Sequence, residues 1–81
     1  MQVLFFAQLR ELLGCESIEL SAQAVSVAGD VVPALVAECP QWAEVLQGKA
    51  WLMSVNQTMA KANTAIKVGD EVALFPPVTG G

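Results

Sequence analysis

The sequence contains no histidine, and Cys15 and Cys39 are its only cysteines among 81 residues. Without histidine, the Ser-His and Cys-His pairs that activate most protein nucleophiles cannot form. The two cysteines are widely separated, and with no histidine as a second ligand type they match no zinc motif. We therefore expect neither a self-contained hydrolase site nor a metal site. In a reducing cytosol both thiols are expected to stay free.

Positive charge is scarce: the chain has four Lys and Arg residues and eight Asp and Glu residues, which gives a formal net charge of −4. A nucleic-acid-binding domain needs a basic patch, so the charge favours docking on basic or neutral protein surfaces instead. No apolar run approaches the ~20 residues that span a bilayer. Residues 1–6 lack the basic region of a signal peptide. These absences predict a cytoplasmic protein that binds neither nucleic acid nor membrane.

The chain is rich in apolar residues, which make up 54% of the sequence. Eighty-one residues suffice for one small domain. A domain of this size buries only about 60% of the surface that its unfolded chain exposes. The apolar residues therefore have to supply a dense core.

The spacing of the apolar residues predicts five strands and one main helix. The strands are predicted over 3–7, 17–20, 51–55, 58–60 and 71–75, with helical segments over 9–13, 31–38 and 42–46. Ser26 and Asp30 are both candidate helix N-caps. A helix that begins after Asp30 places Pro33 in the first turn, where its missing N–H costs little. Strand runs on both sides of one main helix are typical of an α+β fold, with the helix on one face of a mixed sheet.

The segment after the last strand is Pro76-Pro77-Val78-Thr79-Gly80-Gly81. Paired prolines stiffen an extended backbone, whereas glycine has no Cβ and lets the backbone approach another surface closely. Such an arm can enter a narrow channel and present the carboxylate of Gly81 to a foreign active site. We expect residues 1–75 to form the domain and 76–81 an extended tail with a reactive carboxylate. An inert, frayed end is the alternative.

Three blocks of sequence carry a resemblance to a known family: VLFFAQLREL over 3–12, VNQT over 55–58 and GDEVALFPPVTGG over 69–81. With its length and element order, the chain resembles the small subunit of molybdopterin synthase, a bacterial sulfur carrier with the ubiquitin-like β-grasp fold. The long C-terminal block is specific, whereas a lone Gly-Gly is not. Gly29 and Pro33 depart from this resemblance, because ordinary helix formers are expected there.

The resemblance implies a sulfur-carrier cycle in which this chain is the sulfur-donating subunit. An ATP-dependent activating enzyme adenylates Gly81, and a sulfur donor of the cysteine desulfurase or rhodanese type converts the adenylate to a thiocarboxylate. The tail then enters the large synthase subunit and gives its sulfur to cyclic pyranopterin monophosphate, which builds the dithiolene of molybdopterin. The resemblance further implies a heterotetramer, no cofactor bound by this chain, and a catalytic lysine and pterin pocket on the partner.

A β-grasp sheet carries its helix on one face and leaves the other face open. Alternation along the first and last strands predicts four residues that face the helix: Val3, Phe5, Val72 and Leu74. The predicted partner interface consists of Phe75 and Phe6 beside the tail, Met59 on the short fourth strand, and Arg10. Exposed apolar clusters mark interaction sites, and Arg10 is placed to pair with a partner carboxylate. Each residue also has a purely structural interpretation, as core packing or as an ordinary surface charge.

Three other functions remain open from the sequence. The chain has the features of a sulfur carrier for thiazole or thiolated-nucleoside synthesis, or of a ubiquitin-like modifier joined to lysines of other proteins. It also fits an interaction module whose tail is inert. Sulfur transfer, an isopeptide-linked Gly81 remnant and partner binding without the tail distinguish these functions.

Overall fold

The computed structural model describes residues 1–21, 23, 25–48 and 51–76. The strands in this part are β1 (Gln2–Phe5), β2 (Ser17–Glu19), β3 (Leu52–Val55), β4 (Thr58–Met59) and β5 (Glu71–Phe75). The α-helices are α1 (Ala7–Leu13), α2 (Val31–Glu38) and α3 (Ala43–Gln47), with 3₁₀ turns at Ala28–Asp30 and Pro40–Trp42. Among the described helices, none is long and apolar enough to cross a membrane.

The described strands form one mixed sheet in the order β2-β1-β5-β3-β4. β1 and β5 are parallel, with Val3 opposite Val72, while the other neighbours are antiparallel. The predicted α+β architecture is therefore confirmed, and the first and last strands lie side by side and parallel. β5 is the central strand, so the segment that leads to the tail starts from the middle of the sheet.

The core lies between the sheet and the helices. Its fully buried side chains include all four residues predicted to face the helix, together with Leu9 from α1 and Leu35 from α2. The Phe5 ring meets the Trp42 ring edge-on, at a centroid distance of 5.4 Å and an interplanar angle of 85°. Within the described residues, every buried side chain is apolar. Burial of apolar surface is accordingly the main source of stability.

The irregular start of α2 explains Gly29 and Pro33. The helix begins after Asp30, as the position of Pro33 predicts, and its N-cap is not Ser26. The Asp30 carboxylate reaches back to accept hydrogen bonds from the backbone N–H groups of Ser26 and Val27. The Gly29 N–H donates to the Ala62 carbonyl at 2.8 Å, and a Cβ on Gly29 would lie 3.0 Å from that oxygen. A larger residue at position 29 would therefore require the loop before β5 to shift by a few tenths of an ångström.

The predicted strand ends need correction at several positions. β1 ends at Phe5 rather than Ala7, because Ala7 adopts a positive φ of 52° and begins α1. β2 stops one residue early at Glu19, and β4 stops at Met59. β3 begins at Leu52, because the Trp51 indole N–H donates to the Val45 carbonyl of α3 and Trp51 lies outside the sheet pairing. Gly14 ends α1 in the left-handed conformation that is common after the last residue of a helix.

Candidate functional site

The tail leaves the fold at the end of the central strand. Phe75 is the last residue of β5, where it pairs with Leu52 of β3, and the half-buried Pro76 follows it. Pro76 has no N–H to donate, so sheet pairing cannot continue through it. The other predicted tail residues, Pro77, Val78, Thr79, Gly80 and Gly81, lie outside the described residues.

One face of the sheet has no helix packed on it among the described residues, and we call it the open face. Strand alternation places seven residues on this face, in two rows that run across the strands. In the order from β2 to β4, the first row is Ser17, Leu4, Ala73, Ser54 and Met59. The second row, closer to the tail, is Phe75 and Leu52. Of these seven residues, Met59 is 59% exposed and the other six are half-buried. The end of the open face beside the tail is therefore mainly apolar.

Phe6 extends this surface beyond the end of β1. Its backbone is extended, and its N–H donates to the Leu74 carbonyl at 3.1 Å, which continues the parallel pairing by one residue. The Phe6 side chain is 46% exposed, whereas that of Phe5 is 1% exposed. The sequence alternation thus separates a core phenylalanine from a surface phenylalanine, and it brings Phe6 and Phe75 to the same end of two adjacent strands.

Met59 and Arg10 lie farther from the tail than Phe75. β3 separates β4 from β5, so Met59 is at the edge of the sheet rather than on the strand next to Phe75. Arg10 is one helical turn after Phe6, and its guanidinium is 3.9 Å from the exposed Glu16 carboxylate. A partner carboxylate would have to compete with Glu16 for Arg10, although an exposed pair of this kind contributes little stability.

The opposite end of β5 is fixed by a polar cluster around Asn56. Its side-chain NH₂ donates to Asp70 Oδ1 at 3.0 Å, and its side-chain oxygen accepts from the Glu71 N–H at 3.0 Å. Asn56 and Gln57 both have positive φ, as the tight turn between β3 and β4 requires. Asn56 is therefore both a turn residue and a clamp between this turn and the start of β5.

The same cluster lowers the pKa of Asp70 below its usual value. The main cause is the Asn56 hydrogen bond; the Lys67 backbone N–H, 2.8 Å from Asp70 Oδ2, and the Lys67 charge add to it, while slight desolvation acts in the opposite direction. A carboxyl with a lowered folded-state pKa stabilises the fold above its unfolded pKa of about 4. That contribution is lost as the pH falls through the lowered pKa.

We expect Asn56→Gly to weaken the acid dependence of stability, because glycine keeps the positive φ but removes the bond to Asp70. The Asp70 pKa, followed by NMR, should rise towards its usual value. Melting temperatures measured from pH 6 to pH 2 should fall less steeply than those of the wild type. Gln57→Gly is the matched control, since it changes the neighbouring turn residue and should leave the Asp70 pKa in place. An unchanged Asp70 titration in Asn56→Gly would contradict this assignment.

A cavity of about 240 Å³ opens on the helix side of the sheet, near Gly29, Trp51 and Met53. The described residues that line it are apolar apart from Lys61, and none of them is a carboxylate or a thiol. Among the described residues, no group of three or more acidic or cysteine side chains could hold a metal. The described part of the chain thus offers an apolar surface beside the exit point of the tail.

The sequence profile of one protein family matches almost the whole chain. The ThiS family matches residues 3–81, a span that contains the sheet, the helices and the tail. The chain belongs to the ThiS family. Its resemblance to molybdopterin synthase small subunits is confirmed by curated relatives named molybdopterin synthase sulfur carrier subunit.

Two curated relatives of this ThiS-family chain are similar over nearly their whole length. The molybdopterin synthase sulfur carrier subunit of Haemophilus influenzae is 43% identical, covering 100% of this chain and 99% of the relative. The subunit of the same name from Escherichia coli is 42% identical over 99% of this chain and 98% of the relative.

Solved structures confirm the ubiquitin-like β-grasp fold of this ThiS-family chain. The crystal structure of SAMP1, a small archaeal modifier protein, from Haloferax volcanii has a TM-score of 0.80 and 31% identity, covering 100% of this chain and 98% of that chain. A complex of subunits 1 and 2 of the molybdopterin-converting factor from Helicobacter pylori includes a chain with a TM-score of 0.64 and 26% identity. It covers 99% of this chain and 96% of that chain.

Sequence reasoning missed part of the open face of this ThiS-family chain. Leu52 lies directly opposite Phe75 and was not among the predicted interface residues. The alternation of Leu52, Met53 and Ser54 contains the signal, but the register between β3 and β5 is needed to place Leu52 beside Phe75. The clamp from Asn56 to Asp70 was also missed, because it joins residues 14 positions apart.

Proposed function

We propose that this chain is the sulfur-carrier small subunit of molybdopterin synthase and acts in the cytoplasm in molybdenum cofactor biosynthesis. The observation that carries the proposal is the full-length identity of 43% to a sulfur carrier subunit of that enzyme. The fold supports it, since the tail begins at the central strand beside the apolar end of the open face. Gly81 is the proposed reactive residue, and Pro76 to Gly80 form the arm that enters the partner.

The chemistry requires activation of Gly81 before sulfur can enter. A carboxylate is a poor electrophile, so the activating enzyme joins it to AMP from ATP and releases pyrophosphate. A persulfide on the sulfur donor then displaces AMP and forms an acyl disulfide with Gly81. A second thiol, acting as the two-electron reductant, cleaves the S–S bond, which leaves the thiocarboxylate on Gly81 and a disulfide on the donor. In the large subunit the thiocarboxylate sulfur attacks a carbon of cyclic pyranopterin monophosphate and displaces an oxygen substituent, which forms a thioester between Gly81 and the pterin. Water then cleaves the acyl–sulfur bond, so the sulfur stays on the pterin and Gly81 returns as a carboxylate. Two charged carriers supply the two dithiolene sulfurs.

The carrier contributes position rather than a catalytic pocket. Holding a nucleophile at the end of an arm beside a bound substrate replaces a bimolecular encounter by an oriented one. Pro76 and Pro77 reduce the number of conformations that the arm loses on insertion. Gly80 and Gly81 have no side chains that a narrow channel would have to accommodate.

The proposed partners are the large synthase subunit, the activating enzyme and a sulfur donor of the cysteine desulfurase or rhodanese type. The complex of two subunits from Helicobacter pylori supports the first of these by analogy. The proposed docking surface is the tail-side end of the open face, with Phe75, Phe6 and Leu52 at its centre, and Met59 and Arg10 at its margins. Partly exposed aromatic residues are common anchors of such interfaces.

Mass spectrometry of the C-terminal peptide tests the proposal directly. We expect incubation with the activating enzyme, ATP and a sulfur source to exchange one oxygen for sulfur at Gly81 alone. The exchange must be localised to that peptide, because oxidation adds nearly the same mass at five other residues: Met1, Met53, Met59, Cys15 and Cys39. Omission of ATP is the control. An unmodified Gly81, with an enzyme that charges a known carrier, would refute the proposal.

A second candidate function is protein modification, favoured by the similarity to small archaeal modifier protein 1. A modifier would form an isopeptide bond between Gly81 and a lysine of another protein. Peptides carrying a Gly81 remnant would support this function, whereas transfer of sulfur to the pterin in the presence of the large subunit supports the carrier. A carrier for thiazole or thionucleoside synthesis would be charged at Gly81 but would leave that pterin unsulfurated.

A further inference from the structure

The open face has two chemically different ends. Beside the tail it carries Phe75 and Leu52, whereas four residues back along β5 it carries Glu71. Glu71 is opposite Gln2, and Gln2 is opposite Glu19 on the far side of β1. At about 3.3 Å per residue, the acidic end lies ~13 Å from Phe75. The two glutamates are two strand spacings apart, roughly 10 Å.

Both charged residues on the open side of the described strands are therefore acidic. The Glu71 carboxylate forms no ion pair with another described residue within 4.0 Å, and that of Glu19, 82% exposed, is 3.9 Å from the Met1 amine. Asp70, next to Glu71, adds a third carboxylate, although its oxygens are already bonded to Asn56 and the Lys67 N–H. The acidic end thus keeps negative charge available to another molecule.

We propose that Glu71 and Glu19 face basic side chains of the protein that receives the tail. This inference rests on the proposed function and adds the chemistry of the partner surface. That surface would have an apolar patch at the mouth of its tail channel and Lys or Arg residues about 13 Å away. A partner lying over the whole open face would otherwise leave the Glu71 carboxylate uncompensated, which costs free energy.

The acidic end is expected to act mainly on the rate of association. Charge complementarity steers two proteins into the correct orientation, and removal of a charge at the rim changes the association rate and its salt dependence. The apolar end instead resists dissociation, because buried aromatic anchors dominate interface stability. One strand, β5, therefore carries an orienting group at its start and an anchoring group at its end.

Binding kinetics with the purified large synthase subunit test this division. Glu71→Gln and Glu19→Gln should each slow association about three- to tenfold at low salt, with little change in dissociation, and the difference should shrink as salt is added. Glu44→Gln is the matched control: it removes the same charge from an exposed position on α3, in the helix layer behind the sheet. It should associate at close to the wild-type rate.

The outcomes separate this inference from the proposed function. Slower association confined to Glu71→Gln and Glu19→Gln supports a basic surface on the partner. An equal decrease in the association rate of Glu44→Gln would show that net charge alone steers association. Unchanged association rates in all three glutamine variants would show that the acidic end has no role in association. Either result overturns the inference. If Phe75→Ala still dissociates faster in those cases, docking on the open face stands. A wild-type chain that fails to bind would overturn both.

Discussion

Deletion of Gly81 is expected to abolish sulfur transfer while leaving the domain folded. The reactive carboxylate would then belong to Gly80, and the arm would be shorter by about 3.3 Å. Since a misplacement of 1 Å from the productive geometry can cost about 100-fold in rate, we expect sulfuration of the pterin to fall at least that far. The measurement is single-turnover sulfur transfer with the large subunit, starting from carrier incubated with the activating enzyme.

Two comparisons make the Gly81 result specific. A chain with one alanine added after Gly81 keeps every native residue but moves the carboxylate outward, so it should lose transfer as well. The melting temperatures of both variants should match the wild type, because no described core residue lies beyond Leu74. Normal pterin sulfuration by the deletion variant would disprove the carrier mechanism.

Replacement of Phe75 by alanine is expected to weaken binding to the large subunit by about 30-fold or more. This corresponds to the loss of roughly 2 kcal/mol that defines an interface hot spot. Phe75 is the residue of the open face nearest to the tail, and Leu52 beside it and Phe6 at the end of β1 widen the same apolar surface. Calorimetric titration of the two purified subunits measures the dissociation constant, and the change should come mainly from faster dissociation.

A second substitution separates binding from folding in this experiment. Leu12→Ala removes an exposed apolar side chain from α1, one that is 50% exposed and outside the open face. It should bind like the wild type. Thermal unfolding of Phe75→Ala gives the cost to the fold, because the half-buried Phe75 also packs within the sheet. Binding by Phe75→Ala as tight as that of the wild type would remove the open face from the docking model.

Local chemistry made much of this fold predictable. β5 and α2 have the predicted ends, because Pro76 stops the strand and Asp30 with Pro33 sets the start of the helix. The alternation that separates Phe5 from Phe6 needs only the period of a strand. These features depend on residues close together in the chain, where sequence patterns carry their full information.

Features that depend on distant contacts were not predictable in the same way. The left-handed Ala7 was missed, since alanine seldom adopts positive φ and only the direct passage from β1 into α1 requires it. Gly29 looked like a defect in a helix until its contact with the Ala62 carbonyl supplied the reason. The place of Met59 at the sheet edge follows from strand order, which local propensity does not encode. The reactive end, Gly81, was identified by its chemistry, and its role stays a prediction.

The parallel pairing of β1 with β5 also governs how the chain acquires its structure on the ribosome. Val3 pairs with Val72, which is made 69 positions later. At translation rates of about 5–20 residues per second, the first strand waits roughly 3–14 s for its central neighbour. Until β5 arrives, both β1 and β3 lack a partner along one edge, and Val72 and Leu74 are missing from the core. A chain that ends before β5 therefore cannot complete the sheet, and its unpaired strand edges are open to association with other chains.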